Sequence, residues 1–182
     1  MEQITSPTKI KIAIIIAFRD FRDAEYFVSK EILEKAGFEI KTVSNKKGRA
    51  VGADGGDVQI DQLISEINII EFAATVFVGG PGAIKGLDNE FSYKIIEETI
   101  SQNKILAAIC ISPVILARAG VLSGRKATVW SSPTDKRPIK ILEDNGAIYQ
   151  NTSVVVDGKI ITADGPEAAK EFTEKIKELL IL

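Results

Sequence analysis

Three short segments of the 182-residue chain carry residues able to do chemistry. Cys110, the one cysteine, closes the apolar run Ala107-Ala108-Ile109 and precedes Ile111-Ser112-Pro113. Proline suits the first turn of a helix, so Cys110 falls on a sharp strand-to-helix turn, the geometry of a nucleophile elbow. There the positive end of the helix macrodipole favours thiolate and is expected to lower the thiol pKa. The competing reading is an inert thiol, since free cysteine is among the most buried residue types. The second segment is Gly79-Gly80-Pro81-Gly82. It matches neither GxGxxG nor a Walker loop, so a nucleotide cradle is not expected. It reads either as a tight turn or as a source of backbone donors, with the Gly80 and Ile111 N–H groups facing a developing oxyanion. Glu25 is the third. An acid in the first turn of a helix ordinarily complements its dipole. Turned instead into an apolar cleft, it would gain a raised pKa and donate a hydrogen bond to a thiolate. Asp20 and Asp23 are readable as helix caps.

Composition narrows the chemistry further. Histidine is absent, so no Ser-His-Asp or Cys-His pair, and no zinc site of Cys and His ligands, can form within the chain. A single cysteine excludes an intramolecular disulfide. The formal charge of −2 argues against a nucleic-acid partner, which calls for a basic face. The clusters Lys46-Lys47-Gly48-Arg49 and Lys136-Arg137 sit among turn residues without interleaved aromatics and read as solvated loops. Residues 1–9 are polar, lack the apolar region of a secretory signal, and are expected to form a flexible segment ahead of a single domain over 10–182. The longest apolar runs, such as Ile12 to Phe18, fall far short of the roughly 20 residues of a membrane helix. No membrane partner and a cytoplasmic setting are expected.

The elements that must position these residues alternate between strand and helix. Strands are expected over Ile10–Ala17, Phe38–Val43, Asp57–Ile60, Thr75–Val78, Ile105–Cys110 and Ala127–Trp130. Helices are expected over Asp23–Ala36, Asp61–Asn68, Glu90–Asn103, Pro113–Ala119, Pro138–Asn145 and from Pro166 onward. Asp157-Gly158, between two β-branched runs, is a two-residue hairpin signal. Alternation with nearly all-apolar strands implies an α/β fold: a mostly parallel sheet with helices on both faces and a late antiparallel hairpin. In such sheets ligands bind beyond the carboxyl ends of the strands, where all three segments fall.

The combination resembles the ThiJ/PfpI family. Ala107-Ala108-Ile109-Cys110, Pro113 and Leu116 to Thr128 look like its elbow block, and Phe21-Arg22-Asp23-Ala24-Glu25 resembles its Phe-Glu-Asp-x-Glu segment. Val78-Gly79-Gly80 resembles its Pro-Gly-Gly turn; Val154 to Gly158 with Thr162 to Pro166 resembles its late hairpin. The resemblance implies a flavodoxin-like three-layer sandwich, a homodimer or higher homo-oligomer, Cys110 as nucleophile or redox centre, and Glu25 as its hydrogen-bonding partner. By the same analogy Gly79, Ser112, Trp130 and Ser131 line the cleft. Members resembling intracellular proteases place histidine directly after the cysteine; here it is Ile111, and Thr128 to Pro133 also lack one. Peptidase chemistry of the Cys-His kind is therefore not expected. What remains is a cofactor-free, metal-free glyoxalase or deglycase acting on a small carbonyl compound such as methylglyoxal. The alternatives are a redox sensor or chaperone whose Cys110 oxidises to sulfinic acid, and an interaction domain with an inert cysteine.

Overall fold

The computed structural model describes residues 9–182. The segment expected to be flexible, residues 1–9, lies outside the described residues apart from Lys9. In chain order the elements are β1 (Lys11–Ile16), β2 (Arg19–Phe21), α1 (Asp23–Lys35), β3 (Glu39–Ser44), β4 (Arg49–Gly52), β5 (Asp57–Gln59), β6 (Gln62–Leu63), β7 (Phe72–Phe77), α2 (Ala83–Leu87) and α3 (Glu90–Ser101). They continue with β8 (Ile105–Ile109), α4 (Pro113–Arg118), β9 (Lys126–Ala127), α5 (Arg137–Asp144), β10 (Ile148–Tyr149), β11 (Val154–Asp157), β12 (Ile160–Ala163) and α6 (Ala169–Ile181).

The central sheet runs β11-β12-β8-β7-β1-β3-β6. Every pairing in it is parallel except the β11/β12 hairpin, which turns at Asp157-Gly158-Lys159-Ile160. This is the flavodoxin-like arrangement expected. Its inner strands β1, β7, β8 and β12 are largely apolar because both faces are covered. Successive β1 residues feed opposite cores, as the two-residue period of a strand demands. Ile12, Ile14 and Ile16 pack with Tyr26 and Leu33 of α1 and with Phe172 and Ile176 of α6. Ala13 and Ile15 pack on the other side with Ile95 and Ile96 of α3, Leu116 of α4 and Leu142 of α5. A buried hydroxyl pair, Ser29 and Thr173 at 2.9 Å, joins α1 to α6.

Two expected elements differ. Residues 61–68, expected as a helix, form only β6 and a turn before a short 3-10 helix at Ile69–Glu71. The apolar spacing of Ile60, Ile64 and Ile67 imitates a helix, and all three are buried. The edge of the sheet overrides it: Asp61 Oδ2 accepts from the Thr42 N–H at 2.7 Å, and the Asp61 and Ile64 N–H groups donate to the Thr42 and Ser44 carbonyls. Residues 127–130, expected as a strand, pair only at β9. Beyond it the Thr128 N–H donates to Thr162 Oγ1 at 2.9 Å and the Trp130 N–H to the Cys110 carbonyl at 2.9 Å. Those bonds lead the chain away from a strand partner and across the elbow. Of the small three-stranded sheet β2-β4-β5, the sequence points only to β5, expected over Asp57–Ile60; β2 and β4 are not among the expected strands.

Phe172 is fully buried where α6 meets the sheet. Phe172→Ala should destabilise the fold by about 3–5 kcal/mol, read as a lowered denaturant midpoint at unchanged slope.

Candidate active site

Cys110 leaves β8 in the left-handed region, φ 64°. A residue with a side chain enters that region at a cost of about 1–2 kcal/mol, so something must hold it. Its N–H donates to the Ala163 carbonyl on β12 at 2.9 Å, and its carbonyl accepts from Trp130. Behind it Ser112, wholly buried, donates from Oγ to the Val78 carbonyl at 2.8 Å, fixing the start of α4 against the end of β7.

The glycine pair closes the other side. A methyl group on Gly79 would stand 2.5 Å from Cys110 Cβ and 3.1 Å from its sulfur. Gly80 has φ 111°, and a side chain there would meet the Asp20 carbonyl oxygen and the Arg22 nitrogen at 2.5 Å. Only glycine lets the elbow and the β2–α1 turn approach this closely. The Arg22 N–H donates to the Gly79 carbonyl at 2.9 Å, which locks that turn in place.

Glu25, in the second half of the first turn of α1, faces inward and has no exposed surface. Its Oε2 accepts from the Gly79 N–H at 2.8 Å. Oε1 is buried without a conventional hydrogen bond, and the Cys110 thiol is close enough to act on the carboxyl group. Burial pushes the carboxyl up to about 7, against the lowering pull of the Gly79 N–H, the thiol and the Arg22 charge. Burial, then the Glu25 charge, push the Cys110 thiol up to about 12; the N–H groups of Gly80 and Ile111 pull the other way. The expected lowered thiol pKa is thus overturned. Cys110 is 7% exposed, and α4, six residues long, carries too little dipole to offset desolvation.

A cleft of about 240 Å³ opens over the sulfur, lined by Arg22, Gly80, Pro81, Ile84, Cys110, Ile111 and Trp130. Among the residues singled out from the sequence, Cys110, Gly80, Ile111 and Trp130 meet there, with Glu25 directly beneath. Gly79 backs the sulfur rather than lining the cleft. Ser112 is sealed in the fold, and Ser131 lies outside, its Oγ 3.4 Å from Lys136 Nζ. Arg22, Pro81 and Ile84 were missed; Arg22 showed itself only as a cation inside an otherwise acidic segment. A larger hollow of about 340 Å³, bordered by Phe18, Arg19, Asn45 and Lys85, contains none of the reactive groups. Among the described residues no three His, Cys, Asp or Glu side chains are placed to hold a metal ion. No helix of the described residues is long and apolar enough to cross a membrane.

The Glu25–Cys110 pair titrates as a unit, and two outcomes follow. Below about pH 7 the alkylation rate of Cys110 should rise tenfold per pH unit in wild type and in Glu25→Gln alike. Above it the wild-type rate should level off, because each further thiolate requires the proton to move onto Glu25, while the variant continues to climb; stopped-flow or mass-resolved alkylation reads this. Stability should diverge as well. The folded-state pKa of Glu25 lies above its unfolded value, so its contribution is complete below about pH 4.5 and is lost as pH rises through about 7. Glu25→Gln, which keeps an oxygen acceptor for Gly79, should therefore gain up to about 3 kcal/mol over wild type across that window, measured by urea unfolding at pH 4.5 and 8.

The DJ-1/PfpI family model matches residues 10–179. An uncharacterised protein of Methanocaldococcus jannaschii is 40% identical over 163 residues, 89% of this chain and 78% of its own. The deglycase PfpI of Pyrococcus furiosus is 31% identical, over 92% of this chain and 98% of its own. Among solved structures, a ThiJ/PfpI domain protein of Brachyspira murdochii superposes with a TM-score of 0.88 at 34% identity, covering 95% of this chain and 98% of that one. The strained elbow, the glycine pair beneath it and these matches lead to one conclusion: the chain belongs to the DJ-1/PfpI family.

Proposed function

We propose that the chain is a cofactor-independent enzyme of the glyoxalase or deglycase type, acting on 2-oxoaldehydes such as methylglyoxal through Cys110 and Glu25. The observation that carries this is the buried carboxyl group, with a pKa near neutrality, beside a thiol exposed to a small cleft. The deglycase name of the Pyrococcus relative supports the reaction class. The same proposal includes a homodimer as the working unit and a cytoplasmic setting, both resting on the family resemblance.

The thiol is protonated at rest, so Glu25 is the base that first removes its proton. Sulfur then adds to the aldehyde carbon, and the new alkoxide takes the proton back from Glu25, giving a hemithioacetal. The N–H groups of Gly80 and Ile111, which bear on the sulfur, stand on the side where oxyanion charge develops. Glu25 next removes the proton from the sulfur-bearing carbon to give an enediol and returns it to the adjacent carbon, while the hydroxyl proton on the sulfur-bearing carbon passes to the neighbouring oxygen, converting the adduct to a thioester. Water cleaves the thioester to lactate and restores the thiol. The sum is methylglyoxal plus water to lactate, with no external oxidant or reductant. Histidine has no place in this sequence; one carboxyl group handles every proton.

Lactate formation from methylglyoxal should be measurable for wild type and fall to the uncatalysed level in Cys110→Ser. The wild-type kcat/KM should rise with pH through about 7, because the ionised form of Glu25 is the one that accepts the thiol proton. Equal rates in wild type and Cys110→Ser would remove the proposal.

A further inference from the structure

Every side chain that could carry charge into the cleft over Cys110 is accounted for by one residue. Of Arg22, Gly80, Pro81, Ile84, Cys110, Ile111 and Trp130, only Arg22 is charged under ordinary conditions. The two arginines of the adjoining groove, Arg118 and Arg137, are paired with Asp88 and Asp135. Arg22 is differently placed. Its Nη1 reaches Asp54 at 3.3 and 3.4 Å, in a pair exposed to solvent on both sides, and such pairs hold weakly. Its Nε is shut away from water and has no acceptor. That enclosed Nε lies out of a ligand's reach, so an anion in the cleft meets the solvent-facing Nη end, which the exposed Asp54 pair holds only weakly. The guanidinium fork suits one kind of partner best, a carboxylate or phosphate oxygen pair.

We propose that Arg22 makes the cleft selective for carbonyl compounds that carry an anionic group, a carboxylate or phosphate, near the carbon attacked by Cys110. This rests on the proposed function, since it assumes that Cys110 meets an electrophile in that cleft. Arg22 acts on the anionic end of the substrate and moves no proton. A neutral 2-oxoaldehyde such as methylglyoxal then engages the sulfur but forms no ion pair with the Arg22 guanidinium.

Two alkylating reagents of nearly the same shape test this without turnover. Iodoacetate carries a carboxylate, and iodoacetamide is neutral. The ratio of their rates at Cys110, followed by intact mass on the folded protein, is divided by the same ratio for 2-mercaptoethanol. The thiolate fraction cancels in that quotient, so a change in thiol pKa cannot mimic the effect. In wild type the quotient should exceed one by about tenfold or more, the worth of one charge-assisted hydrogen bond. It should fall to about one in Arg22→Gln and stay partly raised in Arg22→Lys. The Arg22 backbone bond to Gly79 is kept in both variants, and a urea melt confirms that they fold. A wild-type quotient near one, or a raised quotient that survives Arg22→Gln, overturns the role of Arg22 and leaves the proposed function standing. Failure of both reagents to modify Cys110 in the folded protein overturns both.

Discussion

Two acids share one water-poor pocket, and such a pocket accepts a single negative charge far more readily than two. Glu25 has no exposed surface and Cys110 very little. Burial therefore disfavours ionisation of both, and whichever ionises first opposes the other. The carboxyl group, intrinsically the stronger acid, takes the charge. In the proposed reaction the sulfur keeps its proton until an electrophile arrives. On that proposal reactivity resides in the pair and not in a preformed thiolate.

The fold keeps two such groups together by crowding backbone. Cys110 sits in a left-handed conformation that its own side chain resists. Bonds from β12 and from the chain crossing toward Trp130 hold it there. Gly79 presents its N–H to Glu25 on one side and leaves room for the sulfur on the other. The two cores beneath, one on each face of the sheet, make this rim rigid without contributing a polar atom to it. Strain at the elbow is small against the burial of β1, β7 and β8 that anchors it.

Much of this was legible in the residues. The apolar runs marked β1, β7 and β8; Gly37 marked the stop of α1; Asp157-Gly158 marked the hairpin; and the Cys110-to-Pro113 spacing marked the elbow. These signals are local, and local backbone chemistry decides them. The acidity of the sulfur was not legible, because it depends on how deeply Cys110 is buried and on where Glu25 lies in space. A helix dipole is visible in sequence; the desolvation that outweighs it is not. The segment after Ile60 misled for a related reason. Its apolar spacing suits a helix, but the hydrogen bonds of Asp61 to Thr42 belong to a strand edge that exists only once β3 is in place. Ser112 and Ser131 flank the cleft in sequence and yet face elsewhere, which a turn of unknown direction cannot reveal.

The hairpin of β4 and β5 has a consequence for the mouth of the cleft. Asp23, at the start of α1, accepts from the Asp54 N–H at 2.9 Å and the Gly56 N–H at 2.6 Å, so one carboxylate moors the tip of that hairpin to the helix that bears Glu25. Asp54, in the moored tip, is also the ion-pair partner of Arg22. Lifting the tip would strip Arg22 of its counter-charge and make the doorway more positive without moving the reacting atoms. The charge at the mouth of the cleft is in this way set partly by the loop that Asp23 moors.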